Sequence, residues 1–266
     1  MIGNWPRLVA ACGWAIGLGA ACHVVPDTVA SSCIRHPGVG TYTDAGLSLG
    51  LVASYSCDQA TGATLSDQSV NNNNAALVTG VGGTGGYNFA AGKVGNALVL
   101  TAANEGYAAL PAGILVNACE ATVAAWVNIK TQVNYQRVWD FGWDSTVYMY
   151  LTTGDAIRMP RFGISIAGNG SHEFGIDGQA TLPVDEWHHL AVVLGPSDVV
   201  LYVDGQQAGA DASIRLRPAD LGSTPNNFIG RSQFSADAYL DGSVDDFRVY
   251  DRALAPREIQ TLVSGS

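Results

Sequence analysis

The densest run of chemistry-bearing side chains is Asn134-Tyr-Gln-Arg-Val-Trp-Asp-Phe-Gly-Trp-Asp144, where aromatic rings alternate with an amide, a guanidinium and carboxylates. These are the groups a sugar needs, because its C–H face stacks on a ring while its hydroxyls require donors and acceptors. Tyr135, Gln136, Arg137 and Trp143 are the candidate ligand-binding residues, and Tyr148, Tyr150, Arg158 and Arg161 lie on neighbouring expected strands. Trp139 and Phe141 read instead as packing residues, as do Trp126 and Trp187.

Bond-cutting chemistry finds less support. Glycoside hydrolysis needs two carboxyl groups roughly 5–9 Å apart. The five glutamates, at 105, 120, 173, 186 and 258, are isolated from one another. Asp140 and Asp144 are the nearest acidic pair on one strand, yet four residues of extended chain separate them by about 13 Å. His188 and His189 are adjacent on an expected strand and so face opposite ways, which disfavours a dinuclear metal site. No Gly-x-Ser-x-Gly elbow follows a strand, and the glycines at 82, 83, 85 and 86 lack the lysine and helix of a phosphate cradle. No catalytic residue is assigned, and the expectation is that the protein is not an enzyme. A formal charge of -10 is the wrong sign for a phosphate backbone, so nucleic acid is excluded as a partner. The same acidity suits cations or neutral sugars.

The elements that would position these residues are strands. Within Thr122–Ile129, Val123, Ala125, Val127 and Ile129 occupy one face, with Thr122, Ala124, Trp126 and Asn128 opposite. Val147, Met149 and Leu151 alternate with Tyr148 and Tyr150, and Phe162, Ile164 and Ile166 with Gly163 and Ser165. Further strands are expected at 188–194, 199–203 and 244–250, punctuated by turns at Pro196-Ser197-Asp198, Asp204-Gly205 and Asp241-Gly242. Two-sided alternation in many antiparallel strands means two stacked sheets. One helix is expected from Pro256, with proline at its first position and Ile259, Leu262 and Val263 on one stripe.

Residues 1–22 read as an export signal: Arg7 precedes an apolar run, Leu8–Ala21, too short to span a bilayer. Ala20-Ala21-Cys22 is similar to a bacterial lipobox, which would make Cys22 a lipid anchor. No later segment reads as a transmembrane span. Residues 23–46 are turn-rich and aperiodic, a spacer, and 47–266 form one continuous domain. Without Cys12 and Cys22, three cysteines remain: 33, 57 and 119. They permit one bridge, with Cys57–Cys119 the candidate pair, or inert buried thiols.

Seven pieces in order resemble the laminin-G-like branch of the concanavalin A-like lectin/glucanase superfamily. They are Gly50–Tyr55, Ala91–Leu98, Thr122–Val127, Trp187–Ala191, Leu201–Gly205, Phe228–Ser232 and Gly242–Leu254. The resemblance implies an all-β, two-sheet antiparallel β-sandwich, a jelly roll, with a short C-terminal helix. Many members hold a structural calcium ion near the first loop and the last strand, and calcium takes six to eight oxygens. On that pattern Asp67, Asn71 and Asn73, in the loop Asp67–Asn74, are ligand candidates, with Asp58 upstream. Of the adjacent pair on the last strand, which face opposite ways, Asp246, on the side of Val244, Arg248 and Tyr250, is favoured over Asp245, on the side of Phe247 and Val249. Val70 and Asn72 depart from the family's glycines, and Cys57 from its large apolar residue. The Glu-x-Asp-x-x-Glu of the superfamily's hydrolases has no counterpart here. The functional expectation is an exported, non-catalytic carbohydrate-binding module, secreted or lipid-anchored, with a polysaccharide or glycan as partner. The alternatives are an adhesion domain for a cell-surface protein without a sugar pocket and, ranking last, a glycosidase-related enzyme.

Overall fold

The computed structural model describes residues 33–35, 46–80, 83–168 and 172–265. The expected export segment 1–22, with Cys22, and most of the 23–46 stretch lie outside them. In chain order the strands are β1 (Leu51–Tyr55), β2 (Thr64–Leu65), β3 (Ala75–Val78), β4 (Tyr87–Ala91), β5 (Asn96–Leu100), β6 (Tyr107–Leu110), β7 (Ala121–Ile129) and β8 (Arg137–Gly142). They continue with β9 (Tyr148–Thr152), β10 (Arg161–Ser165), β11 (Phe174–Asp177), β12 (Trp187–Leu194), β13 (Val199–Val203), β14 (Gln206–Asp211), β15 (Asn226–Ile229) and β16 (Gly242–Tyr250). One helix, α1 (Pro256–Ser264), follows.

The strands form two antiparallel sheets. The first runs β14-β13-β12-β7-β16-β5-β4, with β1 also paired to β16; the second runs β11-β10-β9-β8-β15-β6-β3-β2. Apolar residues at every second position meet between the layers. Val123, Val127, Val192 and Leu201 of the first sheet share a core with Trp139, Phe141, Met149, Leu151, Phe162 and Ile164 of the second. Each fully buried aliphatic or aromatic side chain there stabilises by about 1.5–3 kcal/mol. Because the pleat alternates, Asp140, Tyr148, Tyr150, Arg161 and Gly163 are turned to the outer face of the second sheet. That parity is what builds the site described below.

The outer face of the first sheet is covered in part by α1, whose Ile259 and Leu262 pack on Ala124, Ala191 and Tyr202. A buried ion pair docks the helix. Arg252 Nη1 and Nη2 donate to Glu258 at 2.8 and 2.7 Å, and Glu258 also accepts the Ala255 N–H at 2.8 Å. Trp126 is buried as expected, but on this outer face rather than between the sheets. It meets the His189 ring edge-on at 5.3 Å, with Lys93 Nζ 4.4 Å above it.

The disulfide joins Cys33 to Cys119, and Cys57 is a buried free thiol. This corrects the expected Cys57–Cys119 pair. Cys57 follows β1 with φ 57° and is tucked against the Tyr55 carbonyl, while Cys33 lies in the aperiodic stretch where no strand pattern marked it. Ile34 bridges to Ala118 in parallel, so this short piece is stitched to the sandwich. No helix among the described residues is long and apolar enough to cross a membrane.

Candidate functional site

A cleft of about 380 Å³ opens on the outer face of the second sheet, lined by Tyr135, Arg137, Tyr148, Tyr150, Asp155, Arg161, Glu173, Phe234 and Asp237. Three neighbouring strands, β8, β9 and β10, supply its floor together with Glu173 just before β11, and the loop between β15 and β16 supplies Phe234 and Asp237 as one wall. Glu173 organises the floor. Its Oε2 accepts from the Tyr148 hydroxyl and its Oε1 from the Tyr150 hydroxyl, each at 3.0 Å. Arg161 Nη2 reaches the same carboxylate at 3.1 Å and its Nη1 reaches Asp177 at 2.6 Å. Burial, and then the charge of Glu173, push the Tyr150 phenol above its usual range, so it remains an O–H donor. A Cβ at Gly163 would stand 2.7 Å from the Tyr150 ring and 2.8 Å from the Glu173 carboxyl carbon. Only glycine lets the ring lie across that strand.

Arg137 is the second anchor. Its guanidinium lies 3.8 Å from the Tyr150 ring centroid and donates to Asp140 at 3.3 Å, Asp237 at 2.9 Å and the Tyr135 carbonyl at 3.0 Å. Asp140 is fully buried and also accepts the Gln233 N–H at 3.1 Å, so it ties strand to loop. Burial pushes its carboxyl up to about 6 even against the Arg137 charge, and its Oδ1 has no hydrogen-bond partner.

The structure brings two of the four expected ligand-binding residues, Tyr135 and Arg137, into this cleft. Tyr135 sits in a left-handed turn, φ 65°, half-exposed at the rim. Gln136 is only 1 % exposed, and its Nε2 donates to Thr131 Oγ1 at 3.0 Å. Trp143 is 50 % exposed but lies past the far end of β8, where its Nε1 donates to the Leu221 carbonyl at 2.9 Å. It does not line the cleft. Asp155, Glu173, Phe234 and Asp237 were missed. Glu173 is one residue before its strand, and the 234–237 loop has no periodicity to flag it.

The calcium candidates fall in two places. In the loop after β2, Asp67 accepts from Ser54 N, Ser69 N, Ser69 Oγ and Asn73 N at 2.6–2.9 Å. Burial is the largest single influence and raises its carboxyl, but the hydrogen bonds together more than reverse that, holding it below the usual carboxylate range. Asn71 and Asn73 turn their amide N–H groups to the Val52 carbonyl at 3.1 and 2.9 Å. This loop is closed largely by its own backbone, and each Asp67 oxygen is committed to two N–H or O–H donors. The Asp67 carboxylate therefore has no lone pair left for a cation.

The β4–β5 turn differs. Asp58 Oδ1 accepts the Asn96 N–H at 3.0 Å, and Asp245 Oδ2 accepts the Val94 N–H at 2.9 Å. Asp245 is fully buried, its Oδ1 has no partner, and burial pushes its carboxyl up to about 6. A Cβ at Gly92 would stand 2.6 Å from Asp245, and one at Gly95 would fall on Asp58, so the turn is shaped around both carboxylates. The orphaned buried oxygen of Asp245, on a turn that Asp58 also holds, offers a hard cation an oxygen ligand. Asp246 is not brought there: at φ 44°, in a bulge between Asp245 and Arg248, it pairs with Arg248 Nε at 2.7 Å. The bulge breaks the strand parity on which Asp246 was preferred. Among the described residues, no three His, Cys, Asp or Glu side chains converge as a metal cluster.

Two stacked antiparallel sheets, one of them carrying a polar and aromatic cleft on its outer face, define an all-β sandwich. The chain belongs to the concanavalin A-like lectin/glucanases superfamily, whose family model matches residues 101–260. No curated protein sequence matches it. Among solved structures it is similar to domain 4 of AbnA, a GH43 extracellular arabinanase from Geobacillus stearothermophilus, in complex with arabinotriose. The TM-score is 0.67 at 22% identity, covering 80% of this chain and 98% of that one. It is also similar to the binding domain of Paraclostridial mosquitocidal protein 1, with TM-score 0.61 at 15% identity, covering 83% of this chain and 53% of the other. A Trypanosoma rangeli sialidase mutant gives TM-score 0.58 at 19% identity, covering 80% of this chain and 32% of its own. The chain thus spans about half of the toxin domain and a third of the sialidase. These likenesses show the fold.

Proposed function

We propose that the chain is an exported, non-catalytic carbohydrate-binding module that takes a glycan in the cleft floored by Tyr148, Tyr150, Arg161 and Glu173. The observation that carries this reading is the preorganised hydrogen-bond network there, flanked by the rings of Tyr135 and Phe234. Rings offer a stacking surface, and the fixed donors and acceptors are set to meet hydroxyls without reorganising. The non-catalytic part is supported by how the acids are engaged: in the cleft Glu173 pairs with Arg161, Asp237 with Arg137, and Asp155 accepts the Ile157 N–H. Asp140 is buried against Arg137, whereas Asp144 is exposed and occupied by the Thr146 N–H at 2.7 Å, so the pair does not converge. Export is supported by the Cys33–Cys119 bridge, which suits an oxidising compartment.

Affinity electrophoresis against a polysaccharide panel, with arabinotriose as a first soluble competitor, tests the site. Glu173→Ala should weaken retardation at least tenfold while the melting curve keeps its cooperativity. Retardation unchanged by Glu173→Ala and by Tyr135→Ala would remove the cleft as the site. Retardation by no polysaccharide would remove the function.

We propose also that Asp58 and Asp245 hold a calcium ion that pins the β4–β5 turn to β16. When bound, the ion neutralises the carboxylates and stabilises the folded state. At a hundredfold excess over its Kd that contribution is about 2.7 kcal/mol. Melting with calcium should exceed melting with chelator by about 5–10 °C, and Asp245→Asn should abolish the difference. Equal midpoints in the wild type would discard the ion.

A further inference from the structure

The cleft's charges point to the chemical class of its ligand. Its two guanidinium groups are already shared: Arg137 between Asp140 and Asp237, and Arg161 between Glu173 and Asp177. A fifth carboxylate, Asp155, also lines the cleft, has no ion pair among the described residues, and uses Oδ1 for the Ile157 N–H at 2.9 Å. Arg158, nearby in sequence, is exposed and does not line the cleft. Lining and support together hold five carboxylates against two arginines. Ionised carboxylates are acceptors only, so this surface asks its ligand for O–H donors. A uronate, sialate or sulfate brings more acceptors and another negative charge.

We propose that the cleft selects neutral, hydroxyl-rich sugars and rejects acidic ones, through carboxylates that neutralise both arginines before any ligand arrives. This rests on the glycan-binding reading above and adds the ligand's charge class to it. The chain's net charge of -10 acts in the same direction at long range, repelling polyanions before contact. Without these partners the two arginines would make a natural clamp for a sugar carboxylate, because guanidinium pairs bidentately with it. Aspartates and a glutamate occupy those donors instead.

The test runs the full chain through affinity electrophoresis with arabinan, levan and galactan as neutral probes, and with polygalacturonate, heparin and polysialic acid as acidic ones. Physiological salt removes long-range repulsion and leaves the cleft to decide. The expected result is retardation by at least one neutral polymer and by none of the acidic three. An acidic polymer that retards the chain as strongly as the best neutral one overturns the selection while leaving glycan binding intact. Retardation by nothing overturns both. Glu173→Gln and Asp237→Asn each release a guanidinium from one charge, and should raise affinity for an oligogalacturonate about tenfold. Two variants with unaltered melting and no such gain would show that charge pairing does not set the selection.

Discussion

Asp67 and Asp140 are carboxylates that the same sandwich handles in opposite ways. Asp67 sits in a surface loop with donors on every side: two N–H groups and a hydroxyl from the loop itself, and one N–H from β1. Ionisation there is favoured, and the loop is closed by it. Asp140 is out of water entirely, with one guanidinium, one N–H and an unpartnered oxygen. Ionisation there is disfavoured, yet the group fixes Arg137 and the loop that walls the cleft. The difference separates a carboxylate placed for stability from one placed for a site. The first has all its hydrogen bonds made locally; the second tolerates an unsatisfied oxygen because its partner's position matters.

The largest expected effect lies in the cleft. Arg137→Ala strands Asp140 in the interior and removes the stacking on Tyr150, a change that costs about 3–5 kcal/mol when a buried pair loses one member. Asp67→Ala removes four hydrogen bonds, but water reaches the loop, and about 2 kcal/mol is expected. Urea unfolding of both variants at neutral pH measures the two. If Asp67→Ala proves the costlier, the cleft is not the more strained region and the contrast collapses.

How much of this was legible in the sequence follows from where the chain is periodic. Alternation placed Trp139 and Phe141 in the core and Tyr148 and Tyr150 together on the other face. It also put His188 and His189 on opposite sides of β12: one meets Asp204 at 2.8 Å, and the other is buried on Trp126. Parity failed where the strand bulges. Asp246 is the choice that counting alternate residues from Val244 gives, but the bulge at Asp246 breaks that count, and Asp245, still in register with Trp126, is the one that reaches the turn. Residues outside strands gave no signal. Phe234 and Asp237 reach the cleft through a loop, and Cys33 finds Cys119 from a stretch with no pattern. Trp143 looked like a platform because residue type is visible in sequence; its bond to the Leu221 carbonyl, far along the chain, is not.

A smaller effect distinguishes the two carboxylates by pH. Asp140 has its folded carboxyl raised to about 6, from an ordinary 3.8, chiefly by burial. Between about pH 4 and 6 the folded chain therefore keeps a proton that the unfolded chain has released, so stability falls as pH rises through that window. Asp67 is shifted downward, so its contribution is present above the ordinary carboxylate value and is lost only as pH falls below it. The groups facing Asp140 are Arg137 on its own strand and the Gln233 N–H on the loop, with Asp237 across the guanidinium. Asp245, also raised to about 6, adds a second decrement in the same window. Asp140→Asn should therefore remove about half of the stability difference between pH 4.5 and 6.5, on the order of 1–2 kcal/mol. Asp67→Asn should leave that difference untouched and flatten the loss below pH 4 instead. Urea midpoints at pH 4.5, at pH 6.5 and at one value below pH 4 separate the two. A wild-type stability that rises from pH 4.5 to 6.5 would mean that the Arg137 charge outweighs burial at Asp140, and that both carboxylates are held ionised by their partners.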